Sequence, residues 1–551
     1  MKKIVFNILH VLNPNEKSSL WRLSVADIIV NLLDISFLMG LLFLLNFYTH
    51  FRTQGGGQSI FERSFTAHPL LPLVVFFLVF TAKNIFGFYV TRLQFHFVYA
   101  VASRLSKDNL RKYLEGSFTD FVRIDSSVTN RKISQQSIEF SHYELNGIQQ
   151  IFSQIVLIAI TCGSIIFINP TLFFLLTCIL APPVFIISFL LKRKLQSGRT
   201  HGKETGEKAD QHLQEAILGF VESHIYLKKD YFTQRYYRYQ LKLNRILSER
   251  LALQSLPVRM MEIFAVFGLL LLISFNTMIS HQYKIQLVTI GAFMIASYKI
   301  IPGIVKISNL VSQVKFYEFS IEGLCGVQVS YVPSMNGTPI KSIGFQDVCF
   351  SYQGKDVVSN FSMEAKRGEI LGITGFSGRG KTTIINLLLG FLNNYSGEIF
   401  VNGQITTADI RKGMASRISY IKQNPFLIHA SILENITLEE EDYDVEKIKK
   451  ILYYSGMDKI VSSLPDGLET IISENGKNFS GGQRQRVILA RALYWDFDVL
   501  ILDEPFNELD AQSELEILKQ LSVISKDGKI IILISHNKMA MSFCDRTIHV
   551  E

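Results

Sequence analysis

Charge is scarce in this sequence and cysteine scarcer: of 551 residues, 19% are charged, 48% are hydrophobic and five are cysteine. Cys162, Cys178, Cys325, Cys349 and Cys544 form no CxxC pair and no metal-spaced set. An odd number of dispersed thiols excludes a disulfide framework. The twelve histidines show no zinc spacing either. No basic run is interleaved with aromatic residues, so the net charge of +8 does not mark a nucleic-acid-binding face. No internal repeat or low-complexity tract is present. The apolar run at 4–12 meets Asn13-Pro14-Asn15-Glu16 without a small-residue cleavage site, so no cleaved signal is expected.

What is there divides into two unlike halves. Up to about residue 310 the chain runs through long stretches rich in Phe, Leu and Ile; beyond about residue 340 charges recur regularly. A helix needs about 20 mainly apolar residues to cross a bilayer. Six stretches qualify, at 25–48, 69–99, 147–168, 171–191, 258–279 and 285–310, the third and fourth joined only by Asn169-Pro170. Lys2, Lys3, Lys17 and Arg22 precede the first stretch. Arg104, Lys107, Arg111 and Lys112 follow the second, and Lys192, Arg193 and Lys194 follow the fourth. Basic loops stay on the cytoplasmic side, so both termini are expected there. The long polar connections at 102–146 and 192–256 carry few Pro or Gly and keep apolar periodicity. They are expected to continue the spans as helices beyond the bilayer, with turns near 116–121 and 219–226 as contact points for a soluble domain. Pro333, Asn336-Gly337 and Pro339 mark the break in composition. The expected boundaries are a transmembrane domain at 1–325, a linker at 326–340 and a soluble α/β domain at 341–551.

In the second half, the short β-branched and Leu-rich runs at 370–374, 499–502 and 530–534 read as strands of a buried parallel sheet. The first leads into Gly375-Phe376-Ser377-Gly378-Arg379-Gly380-Lys381-Thr382, which matches GxxxxGK[ST] and opens an apolar helix at Thr383. A triphosphate requires inward-turned backbone N–H groups, and Gly375, Gly378 and Gly380 permit that path. The helix directs its positive end at the anion, Lys381 adds a point charge, and Thr382 offers an oxygen to Mg²⁺. Val499-Leu500-Ile501-Leu502 ends in Asp503-Glu504. Asp503 is placed to hold Mg²⁺ through water and Glu504 to act as general base on the attacking water.

Phe479-Ser480-Gly481-Gly482-Gln483 resembles the signature motif of ATP-binding cassette proteins, with Phe where Leu is usual. The resemblance extends in order across 345–536. It implies Tyr352 as the aromatic that stacks on adenine, Gln423 as the Q-loop glutamine near metal and water, Asp510 in the D-loop and His536 as the switch histidine. It implies that ATP contacts Gly375, Ser377, Gly378, Gly380, Lys381, Thr382 and Thr383 on one cassette. Ser480, Gly482 and Gln483 would come from the opposite one. Two copies of this chain, a homodimer, are the economical arrangement. Arg379 and Phe506-Asn507-Glu508 depart from the family pattern, where a small residue and Thr-Ser-Ala are usual. The resemblance implies a six-helix α-helical transmembrane domain fused to an α/β P-loop NTPase, an exporter half-transporter that hydrolyses ATP with Mg²⁺.

Ionisable residues at membrane depth are candidates for substrate contact. Lys83, Arg92, Arg259 and Lys299 are the basic ones, and Lys83, Arg259 and Lys299, from three helices, could line one cavity for a phosphate or diphosphate. The competing reading is snorkelling or local pairing, such as Arg259 with Glu262. Lys83-Asn84, Arg104-Leu105-Ser106 leading to Tyr113-Leu114, Pro257-x-Arg259-x-x-Glu262 and Tyr298-Lys299-Ile300-Ile301-Pro302 resemble bacterial flippases for lipid-linked oligosaccharides. Lys299 stands where Arg is common. That resemblance implies a polyprenyl-diphosphate substrate, membrane lipids as partners, and a bacterial inner membrane location with the cassette cytoplasmic. Export of a peptide or another lipid is the alternative, although the first span begins at residue 25, too early for a peptidase domain. A non-transporting membrane regulator is the reading from another class.

Overall fold

This computed structural model describes residues 2–50, 70–116, 118–123, 126–168, 170–278, 287–322, 338–352, 354–376, 378–423, 426–439 and 443–550. Most of the expected linker, as well as Ser377 and Cys325, lies outside the described residues. The chain forms two units, Met1–Gly116 with Arg123–Val329, and Ser117–Val122 with Ser330–Glu551.

The first unit is helical because its apolar runs are long and rarely broken by Gly or Pro. A short helix α1 (Lys2–Val11) precedes α2 (Pro14–His50) and α3 (Leu71–Leu114). After α4 (Phe118–Arg123) come α5 (Asn146–Ile168), α6 (Pro170–Leu218), α7 (Lys229–Met278) and α8 (Leu287–Tyr317). Among the described residues, three stretches are long and apolar enough to cross a membrane: Leu71–Leu114, Val128–Phe167 and Lys229–Gly268. The polar connections are helical, as expected. Helix α7 has 50 residues, about 75 Å at the helical rise, more than twice the roughly 30 Å of hydrocarbon. Pro257 and Pro302 lie within α7 and α8, where each removes one backbone donor.

Arg104 is a structural anchor here. Its guanidinium donates to both carboxylate oxygens of Glu16, at 2.6 and 2.9 Å, to Asp108 at 2.8 Å and to the carbonyl of Val11 at 3.1 Å. The fork ties the α1–α2 junction to α3, and beneath it Ile4, Ile8, Val101, Leu105 and Phe140 form one apolar cluster.

The second unit is a layered α/β domain. Strands β1 (Ser342–Tyr352), β2 (Lys355–Lys366), β4 (Ser396–Val401) and β5 (Gln404–Ile405) make an antiparallel sheet in the order β2-β1-β4-β5. Strands β3 (Ile370–Thr374), β6 (Ile418–Ile421), β9 (Val499–Asp503), β10 (Ile530–Ile534) and β11 (Arg546–His549) make a parallel sheet in the order β11-β3-β10-β9-β6. Ala430–Ser431 (β7) and Ile471–Ile472 (β8) pair separately.

Alternation explains why the inner parallel strands are apolar up to their last residues. Val499 and Ile501 pack towards Phe345 and Ile384, whereas Leu500 and Leu502 pack towards Val487 and Leu518. Both faces are covered, so both sets of side chains are buried. The helices concerned are α9 (Lys381–Leu388), α10 (Gly481–Tyr494) and α11 (Ala511–Lys526). Residues 117–122 lie inside the 1–325 stretch of the sequence yet group with this unit, where Phe118 stacks on Phe391 with ring centroids 5.1 Å apart. The 219–226 turn stays with the first unit.

Candidate functional site

The phosphate loop follows from three local facts: β3 is buried, α9 starts at Lys381, and the intervening backbone takes conformations that side chains resist. Gly380 has φ +85°, and a Cβ there would lie 2.7 Å from the carbonyl oxygen of Val357. Gly375 has φ +149°, and its Cβ would meet the carbonyl of Val550 at 2.5 Å. Neither position accepts another residue without backbone movement.

Lys381 is buried, and its ammonium donates to the carbonyls of Gly375 and Phe376, the latter at 3.1 Å. It also lies 3.0 Å from Nε2 of His536. These partners are neutral when the imidazole is, so the loop carries a net positive charge where a phosphate would sit. Thr383 is buried in the first turn of α9, and Gly378 is left-handed, with φ +82°.

Asp503 ends β9 with its carboxylate accepting from Thr382 Oγ1 at 3.3 Å and from Tyr420 OH at 3.5 Å. Burial, then the neighbouring charge of Glu504, raises the Asp503 carboxyl above the usual carboxylate range. A buried carboxylate beside a threonine hydroxyl and a second acid is an oxygen donor set suited to a hard cation. Thr382 and Asp503 would therefore hold Mg²⁺ at this site. Tyr420 was not recognised from sequence, since nothing in β6 sets it apart; burial raises its hydroxyl pKa strongly, so it remains a donor to Asp503.

Glu504 is where the elements converge. Its backbone is left-handed, with φ +51°, and its N–H bonds the carbonyl of Ile534 at 2.9 Å. One carboxylate oxygen, Oε2, accepts from Gln423 Nε2 at 2.7 Å and from Asn507 Nδ2 at 3.0 Å. The other, Oε1, faces His536 Nε2 at 3.5 Å. Lys381, Thr382, Asp503, Glu504, Gln423 and His536 thus form one constellation, drawn from four separate segments. Arg491 of α10 braces the segment beyond Gln423 by donating to the carbonyls of Phe426 and Asn435, at 2.7 and 2.6 Å. Burial lowers its guanidinium pKa to about 10.

The remaining cassette residues stand apart. Ser480 and Gln483 cap α10 reciprocally, with backbone-to-side-chain bonds of 3.3 and 2.9 Å. Asp510 caps α11 through Ser513, whose hydrogen bonds lower its carboxyl pKa. Tyr352 is exposed and packs edge-on against Phe350. Among the described residues no hydrogen bond joins Ser480 to Lys381, Thr382 or Glu504.

At membrane depth, Lys83 pairs with Asp34, and its ammonium lies 5.1 Å from the ring centre of Phe80. Arg259 pairs with Glu262 at 3.4 Å, with its side chain 76% exposed. Arg92 is exposed. The side chain of Lys299 lies outside the described residues, and with it part of the expected cavity of Lys83, Arg259 and Lys299.

Several known proteins are similar to this chain. Residues 358–507 match the ABC transporter family model. The chain is 30% identical over 372 residues to a probable ABC transporter ATP-binding/permease protein of Haemophilus influenzae, covering 65% of each. It is 32% identical over 295 residues to a glutathione/L-cysteine transport system ATP-binding/permease protein of Bacillus subtilis, spanning about half of that relative (51%). An ATP-dependent lipid A-core flippase of a Polaromonas species is 25% identical over 504 residues, 88% of this chain and 82% of the relative. In fold, a bacterial Atm1-family ABC exporter with ATP bound superimposes with a TM-score of 0.76 over 97% of this chain and 94% of that one, at 19% identity. The phosphate loop, the signature helix and the terminal acid pair all lie within the stretch that matches the ABC transporter family model, and the whole chain has the fold of an ABC exporter.

Proposed function

We propose that this chain is an ATP-driven exporter that works as a homodimer in the bacterial inner membrane, its cassette cytoplasmic, and turns over an anionic, lipid-linked substrate. The observation that carries the ATPase reading is the constellation around Glu504. Lys381 sets positive charge against the outer phosphates, and Thr382 with Asp503 would hold Mg²⁺, which would supply charge neutralisation for the leaving group. Glu504 takes a proton from the attacking water, whose oxygen bonds to the γ-phosphorus as the bond from that phosphorus to the β,γ-bridging oxygen breaks, and ADP and phosphate leave. Among the described residues Ser480 and Gly482 make no hydrogen bond to this cluster, which suits their use on the opposite cassette. ATP then drives transport only if the closed pair of cassettes binds it better than the open pair.

The substrate reading rests on likeness to the lipid A-core flippase over most of the chain, and on Arg259, Arg92 and Lys299 as cations for a phosphorylated headgroup. Lys83 contributes less to that charge, being matched by Asp34. A polyprenyl-diphosphate-linked oligosaccharide is the finer proposal. Export of a small peptide is the second reading, favoured by the likeness to the glutathione/L-cysteine transport protein.

One experiment addresses these levels together. The full chain in proteoliposomes is assayed for ATPase activity and for flipping of a fluorescent polyprenyl-diphosphate lipid, with glutathione uptake into inverted vesicles in parallel. Glu504→Gln is expected to slow hydrolysis at least about 100-fold, and Arg259→Ala to abolish lipid flipping. Parental hydrolysis by Glu504→Gln refutes the ATPase assignment. ATP-dependent uptake of glutathione without lipid flipping moves the substrate to the second reading.

A further inference from the structure

The segment 506–508 departs from the family pattern, and two of its three residues make polar contacts that bear on the site. Asn507 Nδ2 donates to Glu504 Oε2 at 3.0 Å, the oxygen that also accepts from Gln423 at 2.7 Å. Two amide donors on one carboxylate oxygen fix the plane of the group. They leave Oε1, on the side of His536 and Lys381, as the oxygen able to take a proton.

Glu508 ties the same segment to the signature helix of its own cassette. Its carboxylate accepts from Arg484 Nη2 at 2.9 Å, and its backbone N–H donates to Gln485 Oε1 at 3.1 Å. The carboxylate lies against Gly481, where a Cβ would come within 1.9 Å of Glu508 Oε2. Leu509 covers Gly482 in the same way, with its Cδ2 at 3.3 Å from a Cβ built there. The first turn of α10 has no acid of its own. Glu508 supplies one from outside, at the positive end of the helix.

We propose that Asn507 is a positioning residue that aims Glu504, and that the Glu508–Arg484 pair fixes Asn507 to the start of the signature helix. A shift of Ser480 and Gly482 then moves Asn507, and with it the base of the same cassette. The inference rests on the ATPase reading above, in which Glu504 is the base.

The test is steady-state ATPase of the full chain in lipid nanodiscs, with kcat and KM measured separately. Asn507→Ala is expected to lower kcat about tenfold while KM for ATP stays within about twofold, since only a bond acting through Glu504 is lost. Asn507→Asp, of the same shape but without the donor, is expected to lower kcat further by setting a second carboxylate against Glu504. In the Glu504→Gln background, Asn507→Ala is expected to have no further effect. Glu508→Ala is expected to lower kcat about threefold, and the swapped pair Glu508→Arg with Arg484→Glu to recover activity lost in Arg484→Glu alone. Parental kcat in both Asn507 variants, an equal loss from Asn507→Ala with and without Glu504, or no recovery in the swap overturns the proposal. Failure of the ATPase reading is recognised separately, by parental turnover in Glu504→Gln itself.

Discussion

Two lysines, one in each unit, have side chains largely covered by protein, yet their partners give them opposite uses. Lys381 is satisfied by the carbonyls of Gly375 and Phe376 and faces His536, and among the described residues no acid forms an ion pair with it. Lys83 is satisfied by Asp34 and backed by the rings of Phe37 and Phe80. An ammonium held by carbonyl dipoles keeps its charge for a ligand. One held by a carboxylate in a region of low dielectric serves packing, because separating the pair is costly. Burial of a cation is therefore no guide to function until its counter-charge is known.

The comparison can be broken at its stronger end first. Lys381→Ala is expected to lower kcat/KM for ATP by about 100- to 1,000-fold, with little loss of folded protein; retained turnover would place the essential charge elsewhere. At the other end, Asp34→Ala strands the Lys83 ammonium and is expected to destabilise the protein by about 3 kcal/mol. Asp34→Leu combined with Lys83→Met is expected to cost less than about 1 kcal/mol. Thermal melting in detergent reads both, and equal losses in the single and double variants would show that the pair is not a unit. The smallest effect concerns the loop that holds Lys381. Gly380→Ala forces a side chain into a left-handed backbone and against Val357, so a loss of about 1–2 kcal/mol is expected. Weakened ATP binding should accompany it, measurable with a fluorescent nucleotide.

The parts of the site that were legible in the sequence are those encoded within a few residues. Strand, glycine-rich turn and helix at 370–388 follow one another directly, and their chemistry is visible in order. The acid pair Asp503-Glu504 is readable for the same reason, as the end of an apolar run. Long apolar stretches announced the helices of the first unit, and the scarcity of Pro and Gly announced their polar extensions. Gln423 and Glu504, by contrast, are 81 positions apart and Asp34 and Lys83 are 49 apart. No spacing rule connects such pairs. From sequence Lys83 and Arg259 stood on equal terms as cavity cations; the fold matches Lys83 with Asp34 across a helix interface, whereas Arg259 meets only Glu262 of its own helix and is exposed. Tyr420 gave no signal, since a tyrosine in a strand is ordinary. Asn507 and Glu508 were noticeable as departures, but their direction was not.

The sequence alone determined the local backbone at its clearest points: period and length of apolar runs mark helices and the inner strands, and glycine spacing marks a loop that can wrap a phosphate. Only the tertiary structure decided which charges remain unbalanced and which oxygen of Glu504 is left open. Local backbone preference acts over a few residues, whereas the electrostatic state of a side chain depends on whatever the fold brings within about 4 Å of it.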